Sequence, residues 1–211
     1  MRHILFSVLF FVIVFSGCKT TNNAISKNGS KLSQGMVVCS HPAASKVGID
    51  ILKQGGNAFD AAIATQLALA VCYPRAGNLG GGGFMVYRDQ NGQEGSLDFR
   101  ERAPYTSSTD MFLDNRGQVI DNMSLVGVYA SGVPGSVDGM WQMHREKGSL
   151  PWCQLVQPAV DLAQNGVILT FNEAEHMNEY AQIIVSVSKF STAYGQKKWK
   201  AGDRFIQQGN P

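Results

Sequence analysis

Apolar and polar residues alternate with two different periods along this chain, and the elements follow from where each period holds. A short apolar stretch at 36–39 reads as a brief strand, broken by Ser40-His41-Pro42. Over 43–54 the apolar residues Val47, Ile51 and Leu52 fall on one helical face, and Gly55-Gly56 ends the pattern. The next segment, 58–72, predicts a helix that is apolar nearly all round, with Asp60, Thr65 and Gln66 its polar positions. Such a helix has to be buried over most of its circumference. Asn57 stands at its N-cap, with Asp60 three residues on, beside the positive helix end. Tyr73-Pro74 stops it. Two β-patterns follow at 84–88 and 96–101, around an Asn91-Gly92 turn that predicts a hairpin. A loop-rich stretch at 110–121 turns at Asn115-Arg116-Gly117. Helices are then predicted over 136–147, ended by Gly148, over 155–165, capped by Gly166, and over 172–184.

Between the buried helix and the hairpin lies a loop with Gly77, Gly80, Gly81, Gly82 and Gly83. A P-loop would need Gly-Lys-Ser/Thr opening a helix, but Phe84-Met85 follows here. A dinucleotide fingerprint needs another spacing and a strand-to-helix order, and here the helix comes first. The loop therefore reads either as a tight, closely packed connection or as a lining for a small anionic ligand. The second β-pattern favours the ligand, since it sets Arg100 beside Asp98 and Glu101.

Composition adds bounds. The chain of 211 residues is 44% hydrophobic and 16% charged, enough for one sizeable core. A net charge of +2 gives no electrostatic case for a nucleic-acid partner. Arg2 and His3, an apolar run at 4–15 and Ser16-Gly17-Cys18 have the form of an export signal. Ending in cysteine, that signal resembles a bacterial lipobox, with Phe15 where leucine is usual. The expected organisation is a signal peptide at 1–17, a flexible tether at 18–35 lipidated at Cys18, and one domain at 36–211. The mature protein is thus expected to be exported and lipid-anchored, facing the periplasm or exterior. The pattern stops without a closing element near 211, as if the domain were unfinished. Cys39, Cys72 and Cys153 are too few and too widely spaced for a disulfide scaffold. His41, His144 and His176 lack the i, i+4 partners of a helical zinc site, so no metal is expected.

Five segments together carry a family resemblance: SHPAASKVGIDILKQGGNAFDAAIATQLALAV, AGNLGGGGFMVYR, LDFRERAP, ASGVPGSVDGM and QPAVDLAQNGV. They resemble, in the family's own order, the large-subunit half of a γ-glutamyltranspeptidase. The resemblance implies an α+β chain, the N-terminal part of the four-layer αββα sandwich of N-terminal-nucleophile hydrolases. It implies an enzyme without cofactor that moves the γ-glutamyl group of glutathione to an amino acid, peptide or water. Arg100, in the intact Asp98-Phe99-Arg100-Glu101 segment, falls on the arginine that grips the substrate α-carboxylate. A guanidinium fork suits that task. The implied partner is a small subunit bearing a nucleophilic threonine in a Thr-Thr-His stretch, which occurs nowhere in these 211 residues. The catalytic set is therefore expected to lie outside this chain. A homologous glutaryl-amide acylase and a non-catalytic truncated lipoprotein remain as alternatives.

Overall fold

The computed structural model describes residues 35–77, 79–188, 192–195 and 197–207. The export signal, Cys18 and the tether up to residue 34 lie outside the described residues.

Two helices start the fold. Helix α1, Pro42–Lys53, opens with a proline, whose missing N–H costs nothing in a first turn. Its N-cap is His41, whose Nδ1 accepts the Ala43 N–H at 3.1 Å. Helix α2, Ala58–Cys72, starts at the expected capping box: Asn57 Oδ1 accepts from Phe59 and Asp60, and Asp60 Oδ2 accepts the Asn57 N–H at 2.9 Å. As its pattern requires, α2 is enclosed, with Ile63, Ala64 and Ala68 wholly buried. It packs against α1, against α4 (Trp152–Asn165) and against α3 (Ser136–Lys147). Gly48 permits the close packing of α1, since a Cβ there would lie 2.8 Å from Val37 Cγ1. Ile51, Ile63, Leu67, Met140 and Leu155 share one cluster. Cutting a side chain such as Ile63 back to alanine in that setting costs about 2–5 kcal/mol.

Asp60 also ties α2 to the turn after α3. It is fully buried, and its carboxylate accepts the Ser149 N–H at 3.1 Å and the Ser149 hydroxyl. Asn57 reinforces the tie by donating from Nδ2 to Lys147 O.

The hairpin pairs β1, Phe84–Arg88, with β2, Glu94–Asp98, in register Phe84 to Asp98 through Arg88 to Glu94. Its strand alternation leaves Phe84 and Val86 on an open face, while Met85, Tyr87 and Leu97 turn inward. Phe59 of α2 meets Tyr87 edge to face at 5.2 Å and anchors the inward side. The turn differs from the expected Asn-Gly type. Asp89 Oδ1 collects the N–H groups of Asn91 and Gln93, the loop runs over five residues, and Gly92 takes the positive φ of 80° there. Strand β2 thus starts two residues earlier than its apolar pattern suggests, at Glu94, and ends at Asp98, so 99–101 lies beyond the ladder.

A second small core joins α5, Phe171–Val187, to the pair β3 (Val167–Ile168) and β4 (Arg204–Phe205). Leu169, Met177, Trp199 and Phe205 fill it. Asn178 clasps Trp199 from both sides, accepting its N–H at 2.8 Å and donating to its carbonyl at 2.9 Å. The helices expected from 155 and 172 begin earlier, at Trp152 after Pro151 and at Phe171 after the Thr170 cap. One expectation fails outright. Residues 36–39 are extended but pair with no strand among the described residues, because the segment runs over α1 and α2 and offers side chains instead of a ladder.

Candidate functional site

Three segments that stand far apart in sequence meet at residues 99–102. The Phe99 N–H donates to Gly83 O at 3.0 Å. Arg102 and Val133 exchange both backbone bonds, at 3.2 and 2.8 Å, and the N–H groups of Gly135 and Ser136 both reach Gly81 O. The glycine loop, the arginine segment and the loop entering α3 thus form one hydrogen-bonded seam.

The seam explains the glycines. A Cβ at Gly82 would come within 2.6 Å of Arg100 Cα, and one at Gly83 within 2.9 Å of the Phe99 ring. A Cβ at Gly135 would sit 3.0 Å from the Phe99 carbonyl carbon, and one at Gly139 would run into the Phe99 ring. Backbone meets backbone on both sides of 99–101, leaving no room for side chains. The glycines act as packing surfaces here, in keeping with the first reading of the loop. Phe99 fills the gap inward, and the alternation of an extended chain then sends Arg100 outward.

Arg100 stands 59% exposed at the side chain. Its guanidinium carbon lies 5.8 Å from the centroid of the Phe84 ring, and Nη2 is 3.4 Å from Glu101 Oε1. Asp98 does not pair with the guanidinium; its Oδ1 accepts the Arg100 backbone N–H at 3.0 Å. The Glu101 carboxyl lies below its ordinary range chiefly because its own backbone N–H stabilises the anion. Burial opposes this, and the Arg100 charge and hydrogen bond pull it down further. A long, exposed ion pair of this kind holds the side chain weakly. Most of the guanidinium fork therefore remains free for a bidentate carboxylate. Glu101, which the sequence sets beside Arg100, is its ion-pair partner, and Phe84 is the neighbour that sequence reasoning missed; the hint was available, since Phe84 follows the glycine loop and pairs across the hairpin with Asp98.

Elsewhere, a cavity of about 360 Å³ opens between the end of α2 and α5, walled by residues such as Val71, Met177 and Phe205. At its edge Arg75 meets His176 Nε2 at 2.8 Å. Among the described residues no group of three or more His, Cys, Asp or Glu is gathered to hold a metal ion.

The protein-family model for gamma-glutamyltranspeptidase matches residues 44–210. The glutathione hydrolase proenzyme of Pseudomonas aeruginosa is 42% identical over 210 residues, covering 98% of this chain and 36% of that protein. The proenzyme of the same name from Escherichia coli is 43% identical over 180 residues, covering 84% of this chain and 31% of its own length. Among solved structures, the gamma-glutamyltranspeptidase of Helicobacter pylori superposes with a TM-score of 0.79 at 41% identity, over 85% of this chain and 52% of that one. The chain thus spans about a third of the length of these curated relatives. Its fold is α+β, a partial N-terminal-nucleophile hydrolase chain.

Proposed function

The chain belongs to the γ-glutamyltranspeptidase family, and we propose that it supplies the carboxylate-reading wall of an enzyme that moves the γ-glutamyl group of glutathione to an amino acid, a peptide or water. One observation carries the reading: Arg100 is driven outward by a glycine-lined backbone seam, and among the described residues its fork makes one polar contact, with Glu101 at 3.4 Å. In this reading the substrate α-carboxylate displaces Glu101 and takes two parallel hydrogen bonds from Arg100. Fixing that end of the glutamyl chain sets the γ-carbonyl at a defined distance, where a nucleophile can attack it. Such positioning replaces a diffusive encounter with a local one.

The nucleophile has to come from elsewhere, since Thr-Thr-His does not occur in these residues. A small subunit, or sequence outside these residues, would provide a threonine whose own α-amine serves as base. The present chain by itself is then inactive. We further propose that Cys18 is lipidated and anchors the protein to a bacterial membrane, facing the periplasm or exterior. The apolar run at 4–15 and Ser16-Gly17-Cys18 support that location. A Cys18→Ser variant is expected to leave the detergent phase and the membrane fraction; continued anchoring would refute the lipid reading.

Arg100 is tested in a protein that includes the nucleophile half. Loss of one charged hydrogen-bonding partner costs about 1.5–3 kcal/mol, on the order of ten- to a hundredfold. Arg100→Ala should lose that much in kcat/KM on γ-glutamyl amides. Arg100→Lys should recover part of it, because the charge stays and the fork is lost. An amide lacking the α-carboxylate should be indifferent to both changes. Equal losses on both substrates would make Arg100 a structural residue and end the assignment.

A further inference from the structure

We propose that Phe84 is a positioning residue for Arg100: its ring holds the guanidinium from one side and leaves the N–H donors free for the substrate carboxylate, a role that rests on the carboxylate-reading function proposed for Arg100 above.

The placement follows from backbone register. Phe84 pairs with Asp98, and the Phe99 N–H bond to Gly83 O carries the pairing one residue past the ladder. Arg100 then comes to stand across from Gly82, with Phe84 as its diagonal neighbour on the same face. Gly82 has no side chain to offer, and a Cβ there would lie 2.6 Å from Arg100 Cα. The position opposite the arginine is therefore bare backbone. A diagonal cross-strand neighbour is still within reach when the side chains are long or aromatic. The distance agrees: the guanidinium carbon lies over the Phe84 ring, 5.8 Å from its centroid.

Three neighbours act on Arg100, each in a different way. Glu101 occupies one donor of the fork, Nη2, at 3.4 Å. Asp98 commits its Oδ1 to the Arg100 backbone N–H at 3.0 Å, and so fixes the chain instead of the fork. The Phe84 ring attracts the cation through its quadrupole and needs no N–H to do so. A substrate carboxylate that displaces Glu101 approaches the guanidinium along its edge, where the donors point. The contact with the ring can persist through that exchange, so Phe84 is the partner that stays. Arg100 is 59% exposed at the side chain and has few other restraints. A long side chain that is already held loses less freedom when its ligand arrives. Phe84 is itself exposed, which gives its ring little to do for the core.

The test uses a complete protein that includes the nucleophile half, and two substrates: a γ-glutamyl amide and the γ-aminobutyryl amide, which lacks only the α-carboxylate. Phe84→Leu and Phe84→Met keep an apolar side chain of similar size without a π-face, while Phe84→Tyr keeps the face. The first two are expected to lower kcat/KM on the γ-glutamyl amide by about three- to thirtyfold, mainly through KM, and to leave the γ-aminobutyryl amide unchanged. Phe84→Tyr should match the wild type on both. With Arg100→Ala already in place, Phe84→Leu should bring no further loss, since the group it positions is gone. Equal losses on both amides, or losses that add in full to those of Arg100→Ala, would overturn the proposal and make Phe84 a support of the hairpin. If Arg100→Ala itself fails to separate the two amides, the carboxylate-reading function of Arg100 falls first, and the role of Phe84 falls with it.

Discussion

Removing the Asp60 carboxylate should loosen the joint between the buried helix and the α3–α4 pair more than any surface change nearby. The side chain is fully enclosed and accepts three hydrogen bonds, from Asn57 N–H, Ser149 N–H and the Ser149 hydroxyl. In Asp60→Ala the hydroxyl of Ser149, an exposed residue, can turn to water. The two backbone N–H groups are left without their acceptor. A stranded donor costs about 1–3 kcal/mol, and half of the capping box at α2 goes with it, about 1 kcal/mol. With the Asn57 N–H counted once, as the capping bond, and the Ser149 N–H as the stranded donor, the sum is roughly 2–4 kcal/mol when the structure relaxes little, or about 4–16 °C in Tm for a chain of this size. Asp60→Asn is the sharper probe. Its oxygen can keep the bonds made at Oδ2, but its amide would then face the Ser149 N–H, donor against donor, so a loss of about 1–2 kcal/mol is expected. Ser149→Ala should lose about 1 kcal/mol, and the double variant Asp60→Ala with Ser149→Ala should lose less than the sum of its parts, because the two residues share a bond. Urea unfolding followed by tryptophan fluorescence suits the question, since Trp141 and Trp152 pack together on α3 and α4 beside the joint. A loss under 1 kcal/mol for Asp60→Ala, with strict additivity against Ser149→Ala, would refute the view that this carboxylate is the tie.

Two further outcomes follow from the same geometry. Gly82→Ala should raise KM for γ-glutamyl substrates in the complete enzyme and cost ~1–3 kcal/mol of stability, because the new methyl meets the Arg100 backbone, which cannot give way as a side chain could; unchanged KM and Tm would mean the seam can part freely. Cys72 makes stability fall at high pH: its thiol titrates near 9.0 unfolded and about 11 folded, so folding must take up a proton in between. The stability it supports is intact below pH 9.0 and fades by about 2–3 kcal/mol as pH rises through about 11. Unfolding curves of wild type and Cys72→Ala should converge over that range, and parallel curves would contradict the assignment.

Local chemistry in the chain was enough to determine much of this protein. The α2 bounds, its Asn57–Asp60 cap, the first hairpin strand and α3 are all legible because each depends on residues within a few positions of one another. Capping is an exchange of bonds over three residues, and burial of α2 follows from its lack of a polar face. The five family segments likewise identify the chain before any coordinate is known. The tertiary structure decided what those segments do to each other. The loops at Gly82 and Gly135 read as separate turns along the chain, and their shared role as walls around Phe99 and Arg100 exists only once they face one another. His41 reads as an isolated histidine. In the fold its Nδ1 caps α1 while Nε2 lies 3.1 Å from Glu173 on α5, a residue 132 positions away in the chain. The segment at 36–39 has a strand's composition, but a strand requires a partner ladder, and here α1 and α2 lie against it instead. Hydrophobic period and caps are short-range properties that the sequence carries directly. Which backbone approaches which glycine depends on how the helices pack, and so does the direction in which the extended chain points its arginine.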